Sequence, residues 1–161
     1  MPDNRGQPVA GPKWGLATAA YFTASVAVHI LTYRRFEIAE VSFATCWIVA
    51  GLLIVAGILV YCAALLSLRK GISRGALVTS GLYSIVRHPL YASAILLIVP
   101  GAAIAFRSWL TLPAPLVAYA AFRVFIRDEE AALVEQYGPE YESYRDRTNA
   151  IFPIRLRRTR R

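Results

Sequence analysis

The segment from Ser42 to Leu68 limits what this chain can fold into more than any other feature. It contains no charged side chain, and it is longer than the roughly 20 helical residues needed to cross a hydrocarbon core of about 30 Å. Three other segments are almost as apolar, at 14–33, 90–106 and 109–126, and only Arg123 interrupts the last of them. Because 57% of the residues are hydrophobic, the composition excludes an ordinary soluble domain. We therefore expect an all-α integral membrane protein with four transmembrane helices.

Positive charge is concentrated in two places. The loop 69–88 carries several lysine and arginine side chains and no acidic one, and the tail 155–161 is rich in arginine. Because positively charged loops stay on the cytosolic side, we expect this loop and both termini in the cytosol, in a multi-pass protein of the inner (cytoplasmic) membrane. The basic tail matches anionic membrane lipids more simply than nucleic acid. Membrane lipids are therefore predicted partners, and nucleic acid is not.

The polarity of the chain divides it into four parts. A polar tail (1–13) precedes two transmembrane helices (14–68), a loop, a transmembrane hairpin and a helical cap follow (69–154), and a basic tail (155–161) comes last. Beyond Ile126 the helical spacing of apolar residues continues, so the fourth helix should run into the cytosol as far as Gly138, with Pro139 opening a new helix. There Tyr141 and Tyr144 share a face. This pattern predicts a cytosolic C-terminal helical cap over the loop 69–88.

Proline residues are expected to disturb the last two transmembrane helices. Pro100 lies within the third apolar segment, and Pro113 and Pro115 lie within the fourth. Each lacks a backbone N–H, so a helix that contains it bends or is interrupted. We expect kinks at these positions, or a wider crevice between the two helices.

A dense set of functional side chains lies in the stretch Gly81–Tyr91, and it is matched by the run Arg127–Glu130. Together they place aromatic rings, an imidazole, an arginine and carboxylates at one membrane face. Rings can stack on adenine or face a sulfonium, and a carboxylate can accept hydrogen bonds from ribose hydroxyls. Taken singly, Arg87, His88 and Tyr91 are more typical of interfacial anchors than of a binding site. In combination they favour a site for a nucleotide-like cation such as S-adenosylmethionine.

The charged residues of the fourth helix allow two interpretations each. Arg123 lies within an apolar segment, where a charge is unfavourable unless it reaches the headgroups or binds a partner, and this makes it a functional candidate. For Glu130, a solvated carboxylate is as good an interpretation as a functional role, and Arg127 and Glu130 can form an ordinary i,i+3 surface pair.

No metal site is predicted. His29 and His88 are the two histidines, and the expected topology separates them by about 20 Å of membrane. The sequence also has no cysteine–histidine cluster of the kind that binds zinc.

The order Gly-x-Tyr-x-x-x-Arg-His-Pro-x-Tyr at 81–91, followed by Glu129-Glu-Ala-Ala-Leu133, Tyr137-Gly-Pro-Glu-Tyr141, Tyr144 and Pro153, resembles the isoprenylcysteine carboxyl methyltransferase family. The resemblance covers roughly residues 69–154. It implies an integral-membrane enzyme that transfers a methyl group from S-adenosylmethionine to a lipophilic acceptor, similar to an isoprenylcysteine carboxylate, at the cytosolic face. The cofactor-binding residues that it implies are Ala76, Leu77, Val78, Tyr83, His88, Pro89, Leu90, Tyr91 and Glu129.

The chain departs from the family pattern at one position that matters for the acceptor. Relatives carry an arginine one helical turn before the matched glutamate, and here that residue is Phe125. Arg123 and Arg127 flank it and become the candidate substrate-binding residues. No catalytic residue is assigned. The alternatives are methylation of a phospholipid amine or of a small thiol, or a non-catalytic membrane adaptor.

Overall fold

The computed structural model describes residues 10–32 and 35–153, and these ranges are helical with no β-strand. Five helices follow in chain order: α1 (Ala10–Leu31), α2 (Phe43–Ile72), α3 (Pro89–Ala105), α4 (Ala114–Tyr137) and α5 (Pro139–Arg147). A short 3-10 helix, Gly81–Ser84, lies between α2 and α3. The expected all-helical fold is confirmed. Most of the two predicted tails, up to residue 9 and from residue 154, lies outside the described residues.

Two of these helices are long and apolar enough to cross a membrane: Pro12–Leu31 within α1, and Phe43–Ile72. Helix α3 is apolar but shorter, and α4 changes from apolar to charged along its length. Helix α2 exposes large apolar side chains along its length, among them Trp47, Leu52 and Leu59. A helix surface of that kind is suited to contact with lipid.

The helices are neighbours in the order α2, α3, α4, α1. Glycines permit the close approach of α2 and α3. A Cβ atom on Gly57 would lie 2.6 Å from Ile98 Cγ1, and one on Gly101 would lie 2.8 Å from Ile54 Cγ1. Both distances are shorter than van der Waals contact, so neither position accommodates a larger residue without moving the two helices apart.

The prolines of the third and fourth apolar segments were expected to kink their helices, and the structure differs from this prediction in the fourth segment. In α3, residues Ala94–Ile98 form a π turn directly before Pro100, and such a turn is a recognised cause of a helix bend. In the fourth segment the prediction of a kink was wrong. Pro113 precedes α4, and Pro115 lies in its first turn. Backbone N–H groups there have no acceptor within the helix, so the missing N–H of proline costs no hydrogen bond. The helix therefore begins at Ala114, after Trp109.

The turn between α3 and α4 is held against the connection between α1 and α2. The guanidinium of Arg107 lies 3.3 Å from the carboxylate of Glu37, and the N–H of Trp109 donates to the carbonyl of Phe36 at 3.0 Å. These contacts fasten the two helix pairs together at the end of the bundle opposite to the motif 81–91.

At the other end the chain returns to the motif. Helix α4 runs to Tyr137 and stops at Gly138, whose φ of 53° favours glycine, and Pro139 begins α5, so this part of the prediction is confirmed. After α5, the N–H groups of Arg87 and His88 donate to the carbonyls of Asn149 and Ala150 at 2.8 and 3.0 Å. The segment before α3 is thereby fixed from both sides.

Candidate active site

An ion pair between the segment before α3 and α4 forms the centre of the site. Arg87 donates from Nε and Nη2 to Oε1 of Glu130, at 3.1 and 2.8 Å. Its Nη1 donates to the carbonyls of Arg145 at 3.0 Å and of Thr148. Both charged side chains are mostly buried, with 12% and 21% of their surface exposed. The guanidinium therefore joins α4, the end of α5 and the motif in one network.

His88 lies between the two adjacent carboxylates of α4. Its Nε2 is 3.0 Å from Oε1 of Glu130, and its Nδ1 is 3.8 Å from Oε1 of Glu129. The ring is buried and packs edge-on against Phe122, with centroids 5.8 Å apart. His88 is the N-cap residue of α3, and Pro89 occupies its first turn. The imidazole is held in one orientation by contacts on both sides.

Glu129 has a different environment from Glu130. It accepts a hydrogen bond from the hydroxyl of Tyr91 at 2.9 Å, and no arginine or lysine pairs with it among the described residues. One of its oxygens has only the distant contact with His88. Glu129 therefore retains capacity to accept hydrogen bonds from another molecule.

Burial and hydrogen bonding act in opposite directions on Glu130. Burial disfavours its charged form, but the hydrogen bonds from His88 and Arg87 outweigh this effect and lower the pKa of Glu130 to about 2. The carboxylate therefore stays ionised well below neutral pH, and it can pair with Arg87 throughout the physiological pH range.

Two tyrosines of α5, Tyr141 and Tyr144, pack over the motif and form one wall of the site. The hydroxyl of Tyr144 donates to the carbonyl of Tyr83 at 2.5 Å, and burial raises the pKa of Tyr144 to about 12. The rings of Tyr141 and Tyr144 are both buried and meet edge-to-face, as their predicted shared face implies. The hydroxyl of Tyr141 is buried and has no hydrogen-bond partner within the described residues. A buried hydroxyl of this kind usually has a partner, so Tyr141 is suited to donate to a bound molecule.

The segment Ala76–Val78 forms another wall. It folds back on the end of α2, where the N–H of Ala76 donates to the carbonyl of Gly71 at 3.2 Å. A Cβ on Gly71 would lie 2.0 Å from Cγ2 of Val78, so only glycine allows this return. The close contact places the segment beside the end of α2.

A cavity of about 510 Å³ lies between these elements, and we call it the cofactor cavity after the role that we propose for it. All nine residues that the resemblance implies for cofactor binding line it: Ala76, Leu77, Val78, Tyr83, His88, Pro89, Leu90, Tyr91 and Glu129. Its apolar part is formed by Tyr61, Leu65 and Leu68 of α2 and Trp14 of α1. Among its lining residues Glu129 is the one carboxylate, so the side chain with free accepting capacity faces several aromatic side chains.

A second cavity, of about 470 Å³, lies on another side of α4, between that helix and residues 149–152. We call it the second cavity. Arg123 and Arg127 line it, so the structure separates them from the nine residues above. Arg87 lines both cavities. Phe122, which is 1% exposed, packs against both His88 and Tyr91 and stands between the two spaces.

Residues 49–135 match the Isoprenylcysteine carboxyl methyltransferase (ICMT) family. This match covers more than half of the chain and includes α3, the motif before it and the pair Glu129–Glu130. The chain belongs to this family. It is therefore a membrane methyltransferase, as the resemblance implied. No curated protein sequence matches the chain.

The structure of this methyltransferase also corrects two interpretations of the charged residues. For Glu130 a solvated carboxylate and a surface pair with Arg127 were considered beside a functional role, but Glu130 is mostly buried and bonded to Arg87 and His88. Helix α4 passes directly beside the motif. Glu130 therefore pairs with Arg87 of the motif rather than with Arg127 on its own helix. Arg127 has no ion pair within the described part of the chain, and Arg123 donates to the hydroxyl of Tyr119 at 3.2 Å.

Several lining residues of this methyltransferase were not singled out from the sequence as site residues. Trp14 and Tyr61 come from helices that look like plain hydrophobic spans, and Gln136 lies two turns beyond Glu129 on α4. Spacing from Glu129 at i+3, i+4 and i+7 was a usable signal for Ala132, Leu133 and Gln136. No signal in the sequence identifies Trp14, whose Nε1 donates to the carbonyl of Ala118 at 2.7 Å.

The structure does not change the prediction that the chain has no metal site. Within residues 10–32 and 35–153, no group of three or more side chains is arranged to hold a metal ion. His29 is buried in α1, in the part of the bundle away from His88. The absence of a metal stays a prediction.

Proposed function

We propose that this methyltransferase uses S-adenosylmethionine, bound in the cofactor cavity, to methylate a lipophilic acceptor at the cytosolic face of the inner membrane. The observation that carries the proposal is that all nine residues implied by the resemblance line one cavity, whose lining residues include a single carboxylate. S-adenosylmethionine brings a methyl group on a positively charged sulfur. The cavity offers complementary chemistry in Glu129, several aromatic faces and the buried Tyr141 hydroxyl.

Each side chain has a defined task under this proposal. Glu129 accepts hydrogen bonds from ribose hydroxyls or offsets the positive charge, and the Tyr91 hydroxyl orients it. The Arg87–Glu130 pair fixes His88 and the start of α3. Methyl transfer from sulfur is an in-line displacement, so alignment and exclusion of water are the main contributions of the protein. A carboxylate or thiolate acceptor needs no further group, while an amine must also lose a proton.

The acceptor is proposed to occupy the apolar part of the cofactor cavity, because it must reach the methyl group there. Tyr61, Leu65 and Leu68 of α2 and Trp14 of α1 provide a surface suited to a hydrocarbon chain. In the order of neighbouring helices, α2, α3, α4, α1, these two helices stand at opposite ends and are not immediate neighbours. An acceptor dissolved in the bilayer can therefore approach between them. The assignment of Arg123 and Arg127 to the acceptor stays a prediction, and it requires the acceptor's anionic group to lie in the second cavity.

The proposed topology has four spans, formed by α1, α2, α3 and the first part of α4, with the charged part of α4 and α5 as a cytosolic cap. Two apolar helices of sufficient length and the basic loop 69–88 support it. Reporter fusions after Arg161 and within 34–40 should report opposite sides of the membrane. The same side for both would contradict the topology and place the proposed cap outside the cytosol.

The first functional test is calorimetry of detergent-purified protein with S-adenosylhomocysteine, the product form of the cofactor. Binding supports the proposal, and its absence favours the non-catalytic adaptor. A labelled-methyl transfer assay against fractionated membrane lipids and small thiols then separates an isoprenylcysteine-like acceptor from a phospholipid amine and from a thiol.

A further inference from the structure

The second cavity presents two cations on one helix face. Arg123 and Arg127 are one turn apart on α4, both are exposed, and both line this cavity. Glu130 is the one carboxylate on it, and its charge is already matched by Arg87. Arg87 in turn uses its remaining donors on the carbonyls of Arg145 and Thr148. The cavity therefore has an excess of positive charge with donors free for an anion.

Apolar surface continues from these cations. The ring of Tyr119 packs against Phe152, with centroids 5.7 Å apart, and both line the second cavity. Leu116 and Val124, on the neighbouring surface of α4, are 73% and 64% exposed. An anionic group at the arginines would thus have a hydrocarbon-compatible surface beside it, in the apolar half of α4. A soluble phosphate makes no use of that surface, whereas the acyl chain of a lipid does.

The two guanidinium groups are suited to a phosphate. Arginine presents planar donors that match phosphate oxygens in pairs, and Arg123 lies at the depth where an apolar helix segment becomes polar. A lipid headgroup lies at that depth in a bilayer. The buried ring of Phe122 and the Arg87–Glu130 pair separate this position from the cofactor cavity.

We infer that the second cavity binds an anionic phospholipid of the surrounding bilayer, with its phosphate between Arg123 and Arg127 and one acyl chain along Tyr119 and Phe152. The inference rests on the proposed membrane topology, but it goes beyond the proposed function, because the bound lipid is a ligand of the enzyme and does not receive the methyl group. Its position beyond Phe122 keeps it away from the cofactor cavity.

The test is native mass spectrometry of detergent-purified protein incubated with phosphatidylglycerol or, separately, with phosphatidylcholine. We expect the wild-type protein to retain phosphatidylglycerol in preference to phosphatidylcholine. The double variant Arg123→Gln/Arg127→Gln should lose this preference, with retention reduced by about tenfold or more, since each charge-assisted contact is among the stronger hydrogen bonds. The control is Arg69→Gln/Lys70→Gln, which removes the same charge from exposed positions that line neither cavity, and it should retain the lipid as the wild type does.

Three results would overturn the inference. Equal loss of phosphatidylglycerol in both double variants would show a general attraction between a basic protein and acidic lipid. Transfer of a labelled methyl group to the retained lipid would assign the arginines to the acceptor instead. Displacement of the lipid by millimolar inorganic phosphate would also contradict it, because the acyl chain would then contribute nothing. Calorimetry with S-adenosylhomocysteine on the same variants tests the cofactor cavity separately, and it should give wild-type affinity.

Discussion

The two cavities on either side of α4 contain many of the same residue types but differ in how their charges are matched. In the cofactor cavity Glu129 is held by a tyrosine hydroxyl and has no cationic partner among the described residues. At the second cavity the adjacent Glu130 is bonded to Arg87 and His88, and Arg123 and Arg127, earlier in the helix, have no carboxylate partner in the part of the chain that the structure describes. Neighbouring residues on a helix point about 100° apart. A single step along α4 therefore separates a residue suited to ligand binding from one that maintains the fold.

The largest effect is expected from removing Glu130. The Glu130→Ala variant leaves the mostly buried guanidinium of Arg87 without its carboxylate, which typically destabilises a protein by about 3–5 kcal/mol. We expect a clear drop in the midpoint of thermal unfolding in detergent. Glu129→Ala is the matched control, and it should unfold close to the wild-type temperature. If the two variants were equally stable, the contrast between the two carboxylates would be wrong.

Acid should weaken the same ion pair. The pKa of Glu130 is lowered from its ordinary value to about 2, so its contribution to stability is complete above pH about 4.5 and declines as the pH falls from there towards 2. The difference in unfolding temperature between wild type and Glu130→Gln should accordingly be constant from pH 5 to 8 and shrink below pH 4. A difference that stays constant down to pH 3 would mean that Glu130 has an ordinary pKa.

A smaller effect separates the two tyrosines of α5. Tyr141→Phe removes the buried hydroxyl that has no partner in the described structure, so we expect weaker S-adenosylhomocysteine binding, by roughly threefold to tenfold, at unchanged stability. Tyr144→Phe removes the hydrogen bond to the carbonyl of Tyr83, and it should lower stability by about 1 kcal/mol. Calorimetry and thermal unfolding on both variants decide this, and a reversed pattern would exchange the roles of the two residues.

The smallest effect on the cofactor is expected at Arg123. Arg123→Lys keeps the charge but loses the planar pair of donors, and the side chain lies outside the cofactor cavity. Affinity for S-adenosylhomocysteine should stay within about twofold of the wild type, while retention of phosphatidylglycerol falls. A large loss of cofactor affinity would show that the two cavities are coupled through Phe122 and would remove the distinction between them.

Much of the site was predictable because its residues are close in sequence or related by the helical repeat. Tyr83, His88 and Tyr91 belong to one short stretch, and the helix signals at Gly138 and Pro139 gave the boundary between α4 and α5. The neighbours of each helix were not predictable, because hydrophobic periodicity shows which face is apolar but not which helix covers it. For this reason Trp14 and Tyr61 were missed.

The pairing of Glu130 was missed for a related reason. Its partner Arg87 lies on a different element, and the two meet because the segment after α5 fixes the backbone of Arg87 through Asn149. Local spacing instead suggested Arg127, one turn away on the same helix. The start of α4 was also misplaced, since Pro113 and Pro115 are compatible both with a kinked helix and with a helix that begins at Ala114.

The central claim is that the cavity beside Glu129 binds the cofactor, and titration of S-adenosylhomocysteine by calorimetry tests it most directly. Wild-type protein should bind with one-to-one stoichiometry, and Glu129→Ala should bind about ten- to a hundredfold more weakly, as expected for the loss of a charge-assisted contact. The unfolding temperature of Glu129→Ala without ligand should be close to that of the wild type. Binding by the wild type that is unchanged in Glu129→Ala would contradict the assignment of this cavity, and no binding by either protein would contradict the proposed activity.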